Sequence, residues 1–267
     1  MRVLLAGAGG AVGQQLIQLL VRQGYTVGAL TRSESKREVL LSSGAAPFIA
    51  DALDPLGVQT VVEAFRPDAI INQLTAIPQS LNLAHYDREF ALTNRLRTEG
   101  TDNLLAAAKK GAVLGGFPEG GVVLRYGWFY GPRTSLDRNG PIAEAVRRRM
   151  LPIVAGGTGL WSFLHIYDAA SAALAALHCK AGIYNVADDE PALVRDWISK
   201  LAEFLAARSP FHVPAWMARF LIGEHGVALM RANRGMSNSK AKRELSWAPR
   251  YPNWRDGFKS EFTNSKQ

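Results

Sequence analysis

A chain of 267 residues, 48% hydrophobic and carrying a net charge of +8, can bury one sizeable core with a smaller lobe. No apolar run is long and uncharged enough to span a bilayer, and the lone Cys179 excludes an intrachain disulfide and a cysteine metal cluster. The basic excess is scattered apart from Arg147-Arg148-Arg149 and Lys240, Lys242 and Arg243, both in helical-looking segments, which argues against nucleic-acid binding as the main function.

In chain order, the apolar run Val3 to Ala6 reads as a strand and ends in Gly7-Ala8-Gly9-Gly10-Ala11-Val12-Gly13. Leu16, Ile17, Leu19, Leu20 and Val21 then repeat at helical spacing until Gly24, and a second strand-like run, Thr26 to Thr31, follows. A right-handed crossover returning to a parallel strand is the economical way to bury both faces of such a unit. The glycines allow a tight turn, close approach of backbone to a pyrophosphate, and close packing of helix on strand. The free N–H groups where the helix starts, at Ala11 and Val12, then face phosphates. Gly7, Gly10 and Gly13 give G-x-x-G-x-x-G, whereas the G-x-G-x-x-G spacing would need glycine where Val12 stands. Met1-Arg2 before an apolar stretch also fits a secretory leader, but the glycines and Gln14-Gln15 argue against export. A cytoplasmic protein with no membrane partner is expected.

The end of the second strand bears on the cofactor. An acid there would accept hydrogen bonds from the adenosine ribose, as NAD requires; this chain has Leu30-Thr31-Arg32-Ser33 instead. Arg32 can pair bidentately with a 2′-phosphate, Ser33 can donate to it, and Lys36 and Arg37 add positive charge. The sequence therefore favours NADP(H) and leaves NAD(H) open. Phe48 to Ala50 reads as a third strand running into Asp51-Ala52-Leu53-Asp54, with Asp54 before Pro55 placed to cap the next helix. Ala69 to Leu74 is a fourth strand, and a long helix is expected through Phe90–Arg95 and on through Gly100–Lys110.

Gly100-Thr101 through Asn103-Leu104-Leu105 resembles the G-T-x-N-L-L of the NAD-dependent epimerase/dehydratases, the extended or atypical short-chain dehydrogenase/reductases, and the G-x-x-G-x-x-G spacing agrees. Leu124–Pro132 resembles L-R-P-G-x-x-Y-G-P, Phe163–Ala170 resembles F-V-H-V-x-D-V-A, and Ser239–Trp247 resembles S-K-A-x-x-x-L-G-W. The resemblance implies a doubly wound α/β fold with a parallel Rossmann-type sheet over residues 1–140. It implies a small mixed C-terminal substrate lobe over 141–267, with 161–186 returning to the sheet. It further implies that Asp51, with Ala52, lies by the adenine and that Leu74, Thr75 and Ala76 lie beside the cofactor ribose. The chemistry implied is hydride transfer at a sugar or other secondary alcohol or carbonyl carbon, on a small, nucleotide-sugar-like substrate. Two departures touch the motifs: Arg97 replaces a helix asparagine, and Tyr126 and Trp128 alter the substrate-facing loop.

A larger departure follows Val113. The family continues with a fifth strand, a catalytic Ser or Thr, and Tyr-x-x-x-Lys on a long helix; this chain passes through Leu114–Gly121 directly into a strand at Val122. No tyrosine is followed four residues later by lysine. Hydride transfer needs a proton donor or acceptor for the substrate oxygen, and without that pair the relay is missing. Tyr130, His165 and Tyr86 are weak substitutes, each with a plain structural role open to it: loop closure, bracing a strand, and packing. No catalytic residue is assigned, and the alternative is a non-catalytic NADP(H)-binding sensor or interaction protein. Removing a strand and helix together would let the Val122 strand take the place beside strand four. Trp161, Trp197, Trp216, Trp247 and Trp254 are expected in the core and lobe, and the tail from Ser260 is expected to fray.

Overall fold

The computed structural model describes residues 1–78, 86–111 and 121–263. Contacts divide the chain into two compact units. The first holds Met1–Ile77, Phe90–Val123 and Ala170–Ile183; the second holds Pro78–Glu89, Leu124–Ala169 and Tyr184–Gln267. The units thus interleave along the chain instead of meeting at one cut near residue 140.

The first unit alternates strand and helix: β1 (Arg2–Ala6), α1 (Ala11–Arg22), β2 (Thr26–Thr31), α2 (Arg37–Ser42), β3 (Ala45–Ile49), α3 (Pro55–Phe65) and β4 (Ala69–Asn72). All four strands are parallel in the order β3-β2-β1-β4, with Leu4 opposite Gly28 on one side and Ile70 on the other. Val3, Leu4 and Leu5 are wholly buried, as a central strand covered on both faces requires. Helix α1 buries Val12, Leu16, Ile17 and Leu20, and Gly24 ends it at φ +76°. Asp54 caps α3, its Oδ1 accepting the Leu56 N–H at 3.0 Å, with Pro55 in the first turn.

The expected long helix is two, α4 (Tyr86–Arg97) and α5 (Glu99–Lys110). The break falls at Thr98, whose hydroxyl donates back to the Asn94 carbonyl at 3.0 Å and whose ψ is −80°.

The next described strand, β5 (Val122–Tyr126), does not lie beside β4. It pairs instead with β10 (Gly182–Val186), and among the described residues no strand pairs with the outer edge of β4. That corrects the expectation that the Val122 strand fills the place beside strand four. Hydrogen-bonding to β10 satisfies β5 without β4, and Val123 and Ile183 are left 51% and 48% exposed.

Between and beyond these strands lie β6 (Trp128–Tyr130), α6 (Pro141–Arg147), β7 (Ile153–Val154), β8 (Leu160–Trp161), β9 (Phe163–His165), α7 (Ile166–Ala175), β11 (Ala192–Leu193), α8 (Val194–Phe204), β12 (His212–Val213), α9 (Ala215–Arg231), α10 (Ser239–Glu244) and α11 (Trp254–Thr263). Two-stranded ladders β6–β9, β8–β11 and β7–β12 surround an aromatic core of Tyr130, Phe163, Trp197, Trp254 and Phe258. The segment 161–186 therefore makes ladders of its own, with no described strand added to the four-stranded sheet. Trp161, Trp197, Trp247 and Trp254 are buried as expected, but Trp216 is exposed. Residues 260–263 extend α11, held by the buried Phe262, so the described part of the tail does not fray.

Candidate dinucleotide-binding site

Three glycines of the loop between β1 and α1 do different work. Gly7 sits at φ +85°, and a Cβ there would fall 2.5 Å from the Gln73 carbonyl oxygen. A Cβ on Gly13 would fall 2.5 Å from the Gly7 carbonyl oxygen, so α1 packs down on the loop only because position 13 is bare. Gly10 is unlike them. It is exposed, has ordinary φ, and its nearest neighbour to a built Cβ would be 3.3 Å away. A Cβ there would press on the Gly7 carbonyl and require a shift of a few tenths of an ångström, a milder conflict than at positions 7 and 13. Gly10 is also the N-cap of α1, with no side-chain cap and no acid in the first turn, so the amides of Ala11, Val12 and Gly13 open an electropositive helix end.

Loops at the ends of the neighbouring strands are braced from beneath. Asn72 Oδ1 accepts the Leu74 N–H at 2.9 Å, while its Nδ2 donates to Thr101 Oγ1 at 2.8 Å. The wholly buried Thr93 accepts the Ala76 N–H at 3.0 Å, which fixes Leu74-Thr75-Ala76. Asn103 Nδ2 donates to the Ala52 carbonyl at 2.9 Å, tying α5 to the loop after β3. Asp51 is exposed, with Oδ1 accepting the Leu53 N–H at 3.0 Å. Thr101 and Asn103 belong to the motif legible in the sequence; the bracing by Asn72 and Thr93 has no sequence signal, because it appears only when α4 and α5 lie under β4.

At the end of β2 the basic residues divide. Arg37 pairs with Glu34, whose carboxyl is held below its usual range by that guanidinium. Lys36 Nζ donates to the Gly9 carbonyl at 3.0 Å, and its stem covers Gly9. The Ser33 hydroxyl lies 2.8 Å from that of Ser35. Arg32 is exposed and makes no hydrogen bond or ion pair with the described residues.

The substitute acids are committed elsewhere. Tyr130 is fully buried, its hydroxyl without a hydrogen-bond partner among the described residues and pressed against Gly257, where a Cβ would overlap it. Burial, with Asp188 and Asp168 nearby, drives its pKa far above the ordinary phenol value. His165 Nδ1 accepts the Tyr167 N–H at 3.1 Å, which leaves Nε2 to donate to Glu261 at 3.0 Å. Asp168 receives the N–H groups of Arg250 and Tyr251 at 2.7 and 3.0 Å. His165 and Asp168 therefore tie distant parts of the second unit together. Burial also pushes the Asp188 carboxyl up to about 8, and the neighbouring carboxylates of Glu190 and Asp189 add to the effect; the Glu190 N–H approaches it without closing a full hydrogen bond. Asp188 borders a cleft of about 1080 Å³ with Leu160, Pro191, Arg234, Met236 and Asn238, within the second unit. The Tyr86 side chain and the stretch 112–120, where the strand–helix omission is expected, lie outside the described residues.

A parallel β3-β2-β1-β4 sheet with a bare glycine loop at the start of α1 defines the class: a Rossmann-type α/β protein. Residues 3–114 match the NAD dependent epimerase/dehydratase family. A 3-diazoavenalumate denitrifying reductase from a Streptomyces species is 35% identical, with the alignment covering 98% of this chain and all of that one. The chain belongs to the NAD-dependent epimerase/dehydratase family. It is also 24% identical to a ketoreductase of Stigmatella aurantiaca acting on 4-hydroxy-2-methyl-3-oxo-4-farnesyl-3,4-dihydroquinoline-1-oxide, over 94% of this chain and 92% of that one. Thermus thermophilus UDP-glucose 4-epimerase, solved with NAD, shares the fold at a TM-score of 0.73, with 22% identity over 98% of both chains. The alignment with the Streptomyces reductase runs over 312 positions against 267 residues here, so at least 45 of those positions face no residue of this chain.

Proposed function

We propose that the protein binds NADP(H) in the glycine loop and descends from reductases of the family that act on a carbonyl or related unsaturated centre. Gly10 carries the reading, because it lies exposed at the uncapped start of α1, where a bare position fits a pyrophosphate backed onto the α1 amides. Arg32 would hold the 2′-phosphate with Ser33, Asp51 would meet the adenine, and Leu74, Thr75 and Ala76 would border the ribose. Bound there, the cofactor supplies a hydride. The residues of the chain orient it and exclude water from one side. The relative named a ketoreductase favours a carbonyl, and the relative named a denitrifying reductase a diazo group, over the sugar of the epimerase neighbour.

A second observation favours binding without efficient turnover. Tyr130 and His165 are both taken up by packing, and at least 45 positions of the reductase have no counterpart. We place those positions between Val113 and Val122, where the family match also ends. The test of the cofactor assignment is calorimetry with NADPH and NADH on the chain and on Arg32→Ala. The change should weaken NADPH by about tenfold or more, the size of a charge-assisted contact of roughly 1.5–3 kcal/mol, and leave NADH nearly unchanged. Equal losses for both would remove Arg32 from the phosphate site.

A further inference from the structure

Helix α9 contains a conflict between its sequence and its position. Gly223, at φ +70° and ψ 174°, divides it, and seven of the eight residues before the break, Ala215–Ile222, are apolar. A helix apolar all round belongs inside a protein or against a hydrocarbon phase. Here only Ala218 is fully buried among those whose side chains are described, whereas Trp216 is 64% and Phe220 85% exposed. These two lie one turn apart on the same face, with Met217 beside them.

The adjoining strand pair also exposes large apolar side chains. Strand β12 runs directly into α9 and pairs with β7, and the Ile153 N–H donates to the Phe211 carbonyl at 2.9 Å. Phe211 and Met150, at the start of the two arms of this pair, are 44% and 69% exposed. Arg149 joins them, its guanidinium 5.9 Å from the Phe211 ring centre and its Nε donating to the Ser209 carbonyl at 3.1 Å. Segments 147–153 and 208–222 together contain five arginines and no acid. Arg147 and Arg148 share Glu144, and Arg219 pairs with Glu224, so the acids that partner them come from outside the two segments.

We propose that this face of the second unit docks peripherally on an anionic phospholipid surface, with Trp216 and Phe220 entering the headgroup boundary and the arginines meeting lipid phosphates. Exposed Trp and Phe in segments rich in arginine suit an interface with an apolar phase beneath an anionic layer. The charge argues against a second copy of the chain, since the five arginines outnumber the two acids that partner them, Glu144 and Glu224, and face-to-face pairing would oppose the remaining like charge. No described helix is long and apolar enough to cross a membrane, so the contact is made on the surface.

Flotation of the full chain with vesicles of phosphatidylcholine and phosphatidylserine at 7:3, against pure phosphatidylcholine, tests the proposal. Binding should be at least about tenfold stronger on the anionic vesicles and fall steeply as salt rises. The double variant Trp216→Glu and Phe220→Glu, both at exposed positions, should lose it while keeping the circular dichroism and NADPH binding of the parent. Absence of binding to anionic vesicles, or equal binding by the double variant, would overturn the proposal. So would a concentration-dependent dimer, seen by light scattering and abolished by the same substitutions, since it would assign the face to a second copy.

Discussion

Around the glycine loop, Asn72, Thr93 and Asn103 point their polar atoms at neighbouring loops and hold them, while Gly10, Arg32 and Asp51 stay at the surface. Around Tyr130 and His165 the arrangement is reversed: the imidazole satisfies both nitrogens inside the fold, and the phenol is sealed against Gly257. The first region is braced from within and open outward, which is what a preorganised binding site needs. In the second, His165 and Asp168 spend their polar atoms on contacts inside the fold. The difference teaches that a family motif can survive for its structural half alone. Asp168 is the clearest instance, gripping the backbone of Arg250 and Tyr251.

The contrast breaks most visibly through activity. Inserting between Val113 and Val122 the segment of the Streptomyces reductase that faces no residue here should raise NADPH-linked reduction of that enzyme's substrate. General acid–base groups contribute about 10²–10⁴-fold, and the gain should reach that range. Equal turnover by the unmodified chain would show that the second region does hold a working acid.

Next in size is Gly10→Asp. Asp is a favoured N-cap, which offsets the close 3.3 Å approach of its Cβ to the Gly7 carbonyl, so the unfolding midpoint should move little. NADPH affinity should nevertheless drop about a hundredfold or more, equivalent to about 2.7 kcal/mol, through bulk and like charge against the pyrophosphate. Unchanged affinity by calorimetry would mean that the loop faces no phosphate.

The closed region should show itself in pH dependence. The Asp188 carboxyl is raised from 3.8 to about 8 by burial, so the folded chain holds a proton that the unfolded chain releases. Its contribution is fully present below about pH 4 and is lost as pH rises towards 8, by at most about 1.4 kcal/mol per pH unit. Asp188→Asn should flatten that slope in urea unfolding measured across this window and be the more stable protein at pH 8. A parent and variant with parallel profiles would place Asp188 in water.

Smallest of all should be Tyr130→Phe. The hydroxyl has no hydrogen-bond partner among the described residues, so its removal should change stability by no more than about 1 kcal/mol and leave NADPH binding alone. Loss of turnover in the segment-inserted protein on making the same change would sharpen the comparison against us, by giving the buried phenol a role in the reaction.

Much of the first unit is written locally. A strand, a glycine turn and an amphipathic helix need only neighbours in sequence, so β1, α1 and β2, the Asp54 cap and the spacing of Gly7, Gly10 and Gly13 are legible in the order of residues alone. The resemblance carried by Gly100–Leu105 and the later boxes points to the family for the same reason: short motifs survive as short strings. Tertiary structure decided the rest, because the deciding partners are far apart in the chain. Glu261 reaches His165 across 96 residues, and Asp168 clamps residues 82 and 83 positions away. The choice of β5 for β10 over β4 depends on ladder partners that no local pattern specifies. Trp216 has the same apolar character as Trp197, yet one is exposed and the other sealed in the core; hydrophobicity says that a side chain prefers burial, and only the packing of the whole unit says which ones obtain it.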